Sequence, residues 1–141
     1  MTGTAAPIAT GELTVRHLDG DQFAIDVRGH TVVVDQPVEV GGTDEAPSPT
    51  ELFVGGLAGC VAYYARRYLA RHELAADGLE VTASYLIGDR PARVTEVRLE
   101  IVAPGSLPAG RRDALLAVAS RCTVHNTLVA PPAITVRYAG P

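Results

Sequence analysis

The sequence predicts a single α+β domain in which antiparallel strands surround one long buried helix. Three observations carry that expectation. The first is residues 46–73, the longest apolar run in the chain, where nothing between positions 52 and 65 is charged. The second is a set of short alternating segments on either side of it, punctuated by Asp-Gly, Arg-Gly and Gly-Gly, which reads as strands and turns. The third is size and composition. With 141 residues, 47% hydrophobic and 20% charged, the chain suits one globular domain with its own core over 1–141, with a mobile tail expected at 1–8.

The strands come first. Residues 9–18 alternate Leu13 and Val15 with Thr14 and Arg16, and residues 22–27 place Phe23, Ile25 and Val27 on one face. Residues 31–35 contain the run Val32-Val33-Val34, which implies burial on both faces. Asp19-Gly20 and Arg28-Gly29 supply the turns of a three-strand meander, and Pro37 with Gly41-Gly42 ends it.

The helix start is well marked. Ser48 suits the N-cap, Pro49 the first helical position, and Ser48-x-x-Glu51 forms a capping box. No proline follows as far as Ala76, and Asp77-Gly78 offers a closing C′ glycine. So apolar a helix should be buried on most sides, against a sheet and a second subunit. Arg66, Arg67 and Arg71 return charge where the helix dipole is negative. Gly55, Gly56 and Gly59 each cost about 1 kcal/mol against alanine. Close helix–helix packing would offset that, as would room for a substrate beside Cys60.

After the helix, residues 79–87 and 94–102 read as two strands, with Val81, Ala83 and Tyr85, then Val97, Leu99 and Ile101, facing in. Residues 111–121 form a second helix burying Leu115, Leu116, Val118 and Ala119, and 122–128 a short further helical turn. Pro131-Pro132 breaks it, and 134–138 reads as a last strand.

Composition excludes several functions. The net charge of −4 without a basic block lacks the electrostatic footprint of nucleic-acid binding. No apolar run spans a bilayer, and the first eleven residues lack the basic and apolar regions of a signal peptide. The expectation is a cytoplasmic protein, where two cysteines are reactive or buried thiols rather than a structural staple. Cys122-x-x-His125 is half of a zinc spacing, and His17, His30 and His72 do not complete it. No metal or other cofactor is expected.

Two motifs remain: G-G-T-D-E-A-P-S-P-T-E-L-F-V-G-G-L-A-G-C at residues 41–60, and R-C-T-V-H-N-T-L at 121–128. With the order of elements, they resemble the OsmC/Ohr family, the osmotically induced and organic-hydroperoxide-resistance proteins, over essentially the whole chain. The resemblance implies an intertwined homodimer with active sites at the dimer interface. It also implies reduction of small organic hydroperoxides by a cysteine pair, Cys60 as the attacking thiol and Cys122 as the resolving one. The thiolate takes the distal peroxide oxygen and becomes a sulfenic acid; the second thiol condenses with it, and a dithiol reductant of lipoyl or thioredoxin type resets the disulfide. Leu52, Phe53, Leu57 and Tyr64 are the candidate pocket lining, which favours alkyl hydroperoxides over hydrogen peroxide.

The chain departs from the family at the activating pair. Peroxidase members carry an arginine near the catalytic cysteine, paired with a glutamate. Leu18 stands at one expected arginine position and Thr50 at the expected glutamate, with Glu51 one residue later. Arg16, Arg28, Thr50, Glu51 and His125 are therefore the candidate supporting residues. Glu51 precedes Cys60 by nine residues, half a turn round and roughly 13 Å along a continuous helix, so within one subunit it cannot reach the thiol. Arg67 shares the face of Cys60, two turns on. Cys122 would gain acidity from a short helix N-terminus and from Arg121. By composition alone either cysteine is a small buried hydrophobe. A non-catalytic dimer binding a small hydrophobic ligand, or a slow redox sensor, is the alternative reading.

Overall fold

Two tight turns shape the start of the chain. Arg28 and Gly29 both take positive φ (48° and 79°), the geometry of a two-residue hairpin turn whose twist matches that of the strands it joins. Gly20 (φ 54°) serves the preceding turn. The result is an antiparallel meander of β1 (Thr14–His17), β2 (Phe23–Val27) and β3 (His30–Val34), in the order β1-β2-β3. The computed structural model describes residues 7–105 and 107–141, so most of the expected tail, residues 1–6, lies outside the described residues. The chain divides into two compact units, Met1–Leu52 and Phe53–Pro141.

In the first unit, buried Asp35 organises the loop after β3. Its carboxylate accepts the Glu45 N–H (3.1 Å), the Thr43 hydroxyl (2.7 Å) and the Gln36 N–H (2.7 Å), while its own N–H donates to the Pro47 carbonyl (3.0 Å). These bonds hold its pKa down at about 2, the Glu45 N–H contributing most. A 3-10 turn, Val38–Val40, lies inside the loop. The strand faces differ from expectation. Ala24 is buried while Phe23 is exposed, and of the valine run only Val34 is buried. An apolar run forces burial only where a second layer covers both faces, and Val32 and Val33 are 41% and 38% exposed.

Helix α1 (Pro49–Arg71) starts on the capping box: the Ser48 N–H donates to Glu51 Oε1 (2.8 Å) and the Glu51 N–H to Ser48 Oγ (3.2 Å). The Ser48 N–H, and after it the Ser48 hydroxyl, hold the Glu51 carboxyl below its ordinary pKa. The helix ends earlier than Asp77-Gly78. Glu73 takes the left-handed conformation (φ 55°), the Leu74 N–H reaches the Leu69 carbonyl (2.8 Å) and the Glu73 N–H the Ala70 carbonyl (3.2 Å). That is a Schellman stop with glutamate where glycine is usual, and apolar Leu74 packs back on the core.

The second unit packs α1 on β4 (Glu80–Gly88), β5 (Arg93–Val102) and α2 (Ala109–Ala119). The antiparallel pair runs from Glu80 opposite Val102 to Gly88 opposite Arg93, with a register shift at Leu86/Ile87. Val81, Val97, Leu99 and Ile101 face the core as expected. Buried Leu57, Val61, Ala65, Tyr68 and Leu69 form one stripe of α1 and meet Leu115 and Ala119 of α2. Leu116, expected inside, is 50% exposed because it sits about 100° round the helix from Leu115.

The opposite face of α1 is open in the single chain: a Cβ placed on Gly55, Gly56 or Gly59 meets nothing within 4 Å, and Phe53 and Tyr63 are exposed. One further expectation fails. No strand forms at 134–138. Ile134, Val136 and Tyr138 are 82%, 91% and 84% exposed. Their alternation is that of a strand, but a strand needs a neighbour for its N–H and C=O groups, and Pro131-Pro132 leads the segment away without one.

Candidate active site

The helical period of α1 carries Cys60 to the edge of the buried stripe, where its thiol is half-buried against the core of the second unit. Cys122 is fully buried in the same core. It is also the N-cap of α3 (Thr123–Val129). Its backbone is extended (φ −70°, ψ 158°) and its Sγ accepts the His125 N–H at 3.3 Å, the place a serine oxygen usually takes. One turn past Cys60, the Tyr64 hydroxyl meets Thr123 Oγ1 at 3.2 Å and ties α1 to the start of α3.

Both cysteines are free thiols, and they interact. Burial pushes the Cys122 pKa up. The His125 N–H works against that rise, and the neighbouring Cys60 thiol adds to it through hydrogen bonding and charge. The expected acidification of Cys122 by α3 and Arg121 is thus reversed, because desolvation outweighs the backbone bonds. The arrangement pairs a more accessible thiol with a closed one kept protonated, and oxidation of the first can pass to the second as a disulfide.

The other candidates fall in several places. Arg16 is engaged by Asp26 on its own hairpin (Nε–Oδ2 2.7 Å), which raises the arginine pKa and lowers that of the carboxylate. Arg28 is exposed in the β2–β3 turn. Thr50 and Glu51 lie in the first turn of α1, with Glu51 spent on the capping box. Leu57 is a core residue, Leu52 is half-buried, and Phe53 is exposed. His125 stands beside Cys122, and its Nδ1 is buried without a hydrogen-bond partner. Among the described residues no arginine is hydrogen-bonded to either thiol, and no group of three or more His, Cys, Asp or Glu is placed to hold a metal. No helix among them is long and apolar enough to cross a membrane.

The sequence reading missed Thr123 as the tie to Tyr64. It also missed a cavity beside that tie, lined by Tyr64, Arg67, Tyr68 and Arg71 of α1 and by Arg121. The spacing of four residues between Arg67 and Arg71 was the available signal, and it reads equally as a favourable helix C-terminus.

Residues 42–137 match the sequence profile of OsmC-like proteins. The chain belongs to the OsmC-like family. No curated protein matches it. Solved structures share the fold of this OsmC-like chain at low identity. A candidate osmotic stress induced and detoxification response protein from Psychrobacter arcticus is 22% identical, with a TM-score of 0.78 over 86% of this chain and 91% of that one. An organic hydroperoxide resistance protein OsmC from Legionella pneumophila gives 19% and 0.67, covering 87% and 91%. An organic hydroperoxide resistance protein from Elizabethkingia anophelis gives 20% and 0.70, covering 90% and 93%.

Proposed function

We propose that this OsmC-like chain is a thiol peroxidase that reduces organic hydroperoxides through Cys60 and Cys122. The observation that carries the reading is the contact between a half-buried thiol and a fully buried, protonated one. The Cys60 thiolate attacks the distal oxygen of ROOH, and the O–O bond breaks. The alcohol leaves as ROH with one proton, and Cys60 becomes a sulfenic acid. The Cys122 thiol then attacks that sulfur, water departs, and a Cys60–Cys122 disulfide forms. A dithiol reductant takes over the disulfide by exchange and returns both thiols. Names of similar proteins that include organic hydroperoxide resistance support this substrate class.

The unit of function on this reading is a homodimer. The open glycine face of α1 and the unpaired alternation of Ile134, Val136 and Tyr138 support it, since both suit cover by a second copy. Treating the reduced protein with one equivalent of cumene hydroperoxide tests the chemistry. The two free thiols should fall to none, peptide mapping should find the Cys60–Cys122 link, and Cys60→Ser should stop rapid oxidation. An unchanged thiol count sinks the proposal.

One observation favours a second reading. Arg16 is held by Asp26, and no arginine is bonded to a thiol among the described residues, so Cys60 has no cation assigned to activate it. A non-catalytic dimer that binds a small hydrophobic ligand would then show slow oxidation of both thiols with saturable binding.

A further inference from the structure

The cavity between the C-terminal half of α1 and the end of α2 has a volume of about 330 Å³ and two unlike parts. Tyr64, buried Tyr68 and half-buried Val118 make an apolar and aromatic wall. Arg67, Arg71 and Arg121 also line it, so three cationic side chains border one cavity. None of the three has a carboxylate within ion-pair distance among the described residues. The chain as a whole is acidic, at −4, and all twelve of its cationic residues are arginines. Three like charges gathered at one cavity without an anion repel one another, and an anion in the cavity relieves that repulsion. Arginine is the side chain whose planar fork matches a carboxylate.

The wall is braced. Arg111 Nη1 donates to His72 Nδ1 at 2.8 Å and to the Tyr68 hydroxyl at 3.4 Å, which leaves the His72 ring proton on Nε2. The Tyr68 and His72 rings lie 4.4 Å apart. The Arg67 guanidinium stacks over the Tyr63 ring at 5.7 Å, which restrains that side chain.

The cavity also adjoins the thiol pair. Tyr64 lines it and bonds to Thr123, next to Cys122, and Arg121 precedes Cys122 on the other side. Arg67 follows Cys60 by seven residues, nearly in line with it and roughly 10 Å along the axis.

We infer that this cavity binds the carboxylate end of an amphipathic organic anion. On the peroxidase reading, on which this step rests, that anion is the substrate: an acyl chain whose carboxylate sits among Arg67, Arg71 and Arg121. Its hydroperoxide group reaches back about two helical turns to Cys60.

Calorimetry on the reduced protein tests the site without thiol chemistry. The probes are octanoate, octanol (the chain without the charge) and inorganic phosphate (the charge without the chain). Octanoate should bind saturably and at least about tenfold more tightly than either control. Arg67→Gln combined with Arg121→Gln should abolish that advantage, and the Lys pair should keep part of it, holding the charge but losing the fork. Circular dichroism of the variants checks that they fold. In the kinetic arm, a free fatty-acid hydroperoxide should oxidise Cys60 faster than its methyl ester, and the Gln pair should bring the two rates together. Octanoate binding no better than octanol, or binding as tightly to the Gln pair, overturns the inference even where cumene hydroperoxide forms the disulfide. If octanoate binds as expected and no hydroperoxide oxidises the thiols, the anion site stands and the peroxidase reading falls alone.

Discussion

The two units are held together by different physics. In Phe53–Pro141 an apolar stripe of α1 lies on a two-stranded sheet and a second helix, and among the described residues no ion pair touches that core. In Met1–Leu52 few side chains are buried, and the fold leans on a polar node, the carboxylate of Asp35, together with the Ser48–Glu51 capping box. Hydrophobic burial is insensitive to mild acid, whereas a carboxylate that accepts several hydrogen bonds is not. The units should therefore respond to different perturbations.

The largest effect is expected from Leu69→Ala. Leu69 is 1% exposed at the centre of the apolar stripe, and truncation there should cost about 2–5 kcal/mol in chemical denaturation. A loss near zero would mean that the second unit is not held by that stripe. Next comes Asp35→Asn. The Asp35 pKa is depressed from 3.8 to about 2, so the charged form is the stabilising one. Its contribution is complete above about pH 4 and fades as pH falls towards 2. The Asn variant should be less stable than the parent at pH 7, and the two melting curves should converge as pH is lowered through that window. A gap that stays constant in acid would break the contrast between the units. The smallest effect is expected from Gly59→Ala. A Cβ there meets nothing, so helix propensity alone should stabilise an isolated chain by about 1 kcal/mol. If ultracentrifugation finds the proposed dimer and Gly59→Ala weakens it, the open face of α1 is a subunit contact. That would decide between the two readings of the helix glycines.

Much of this was legible because it is local. Ser48, Pro49 and Glu51 name the start of α1 by their spacing, and the capping hydrogen bonds are there. The alternations in β4 and β5 gave the inward faces, and the position of Cys122 before a short helix gave its place at a helix start. The misreadings were non-local. The end of α1 depends on Leu74 folding back on the core, which let a glutamate do the work of a glycine. The segment 134–138 has the pattern of a strand, and pattern cannot supply a partner.

By itself, then, the order of residues determined where helices begin, which faces are apolar and that two cysteines occur in motifs of one family, because capping and periodicity act over a few bonds. Only the folded chain decided that Cys60 meets Cys122, that burial rather than a helix dipole governs the Cys122 thiol, and that distant Arg121 joins Arg67 and Arg71 at one cavity. Those outcomes depend on solvent exclusion and on packing between segments some sixty positions apart, a quantity that no local pattern encodes.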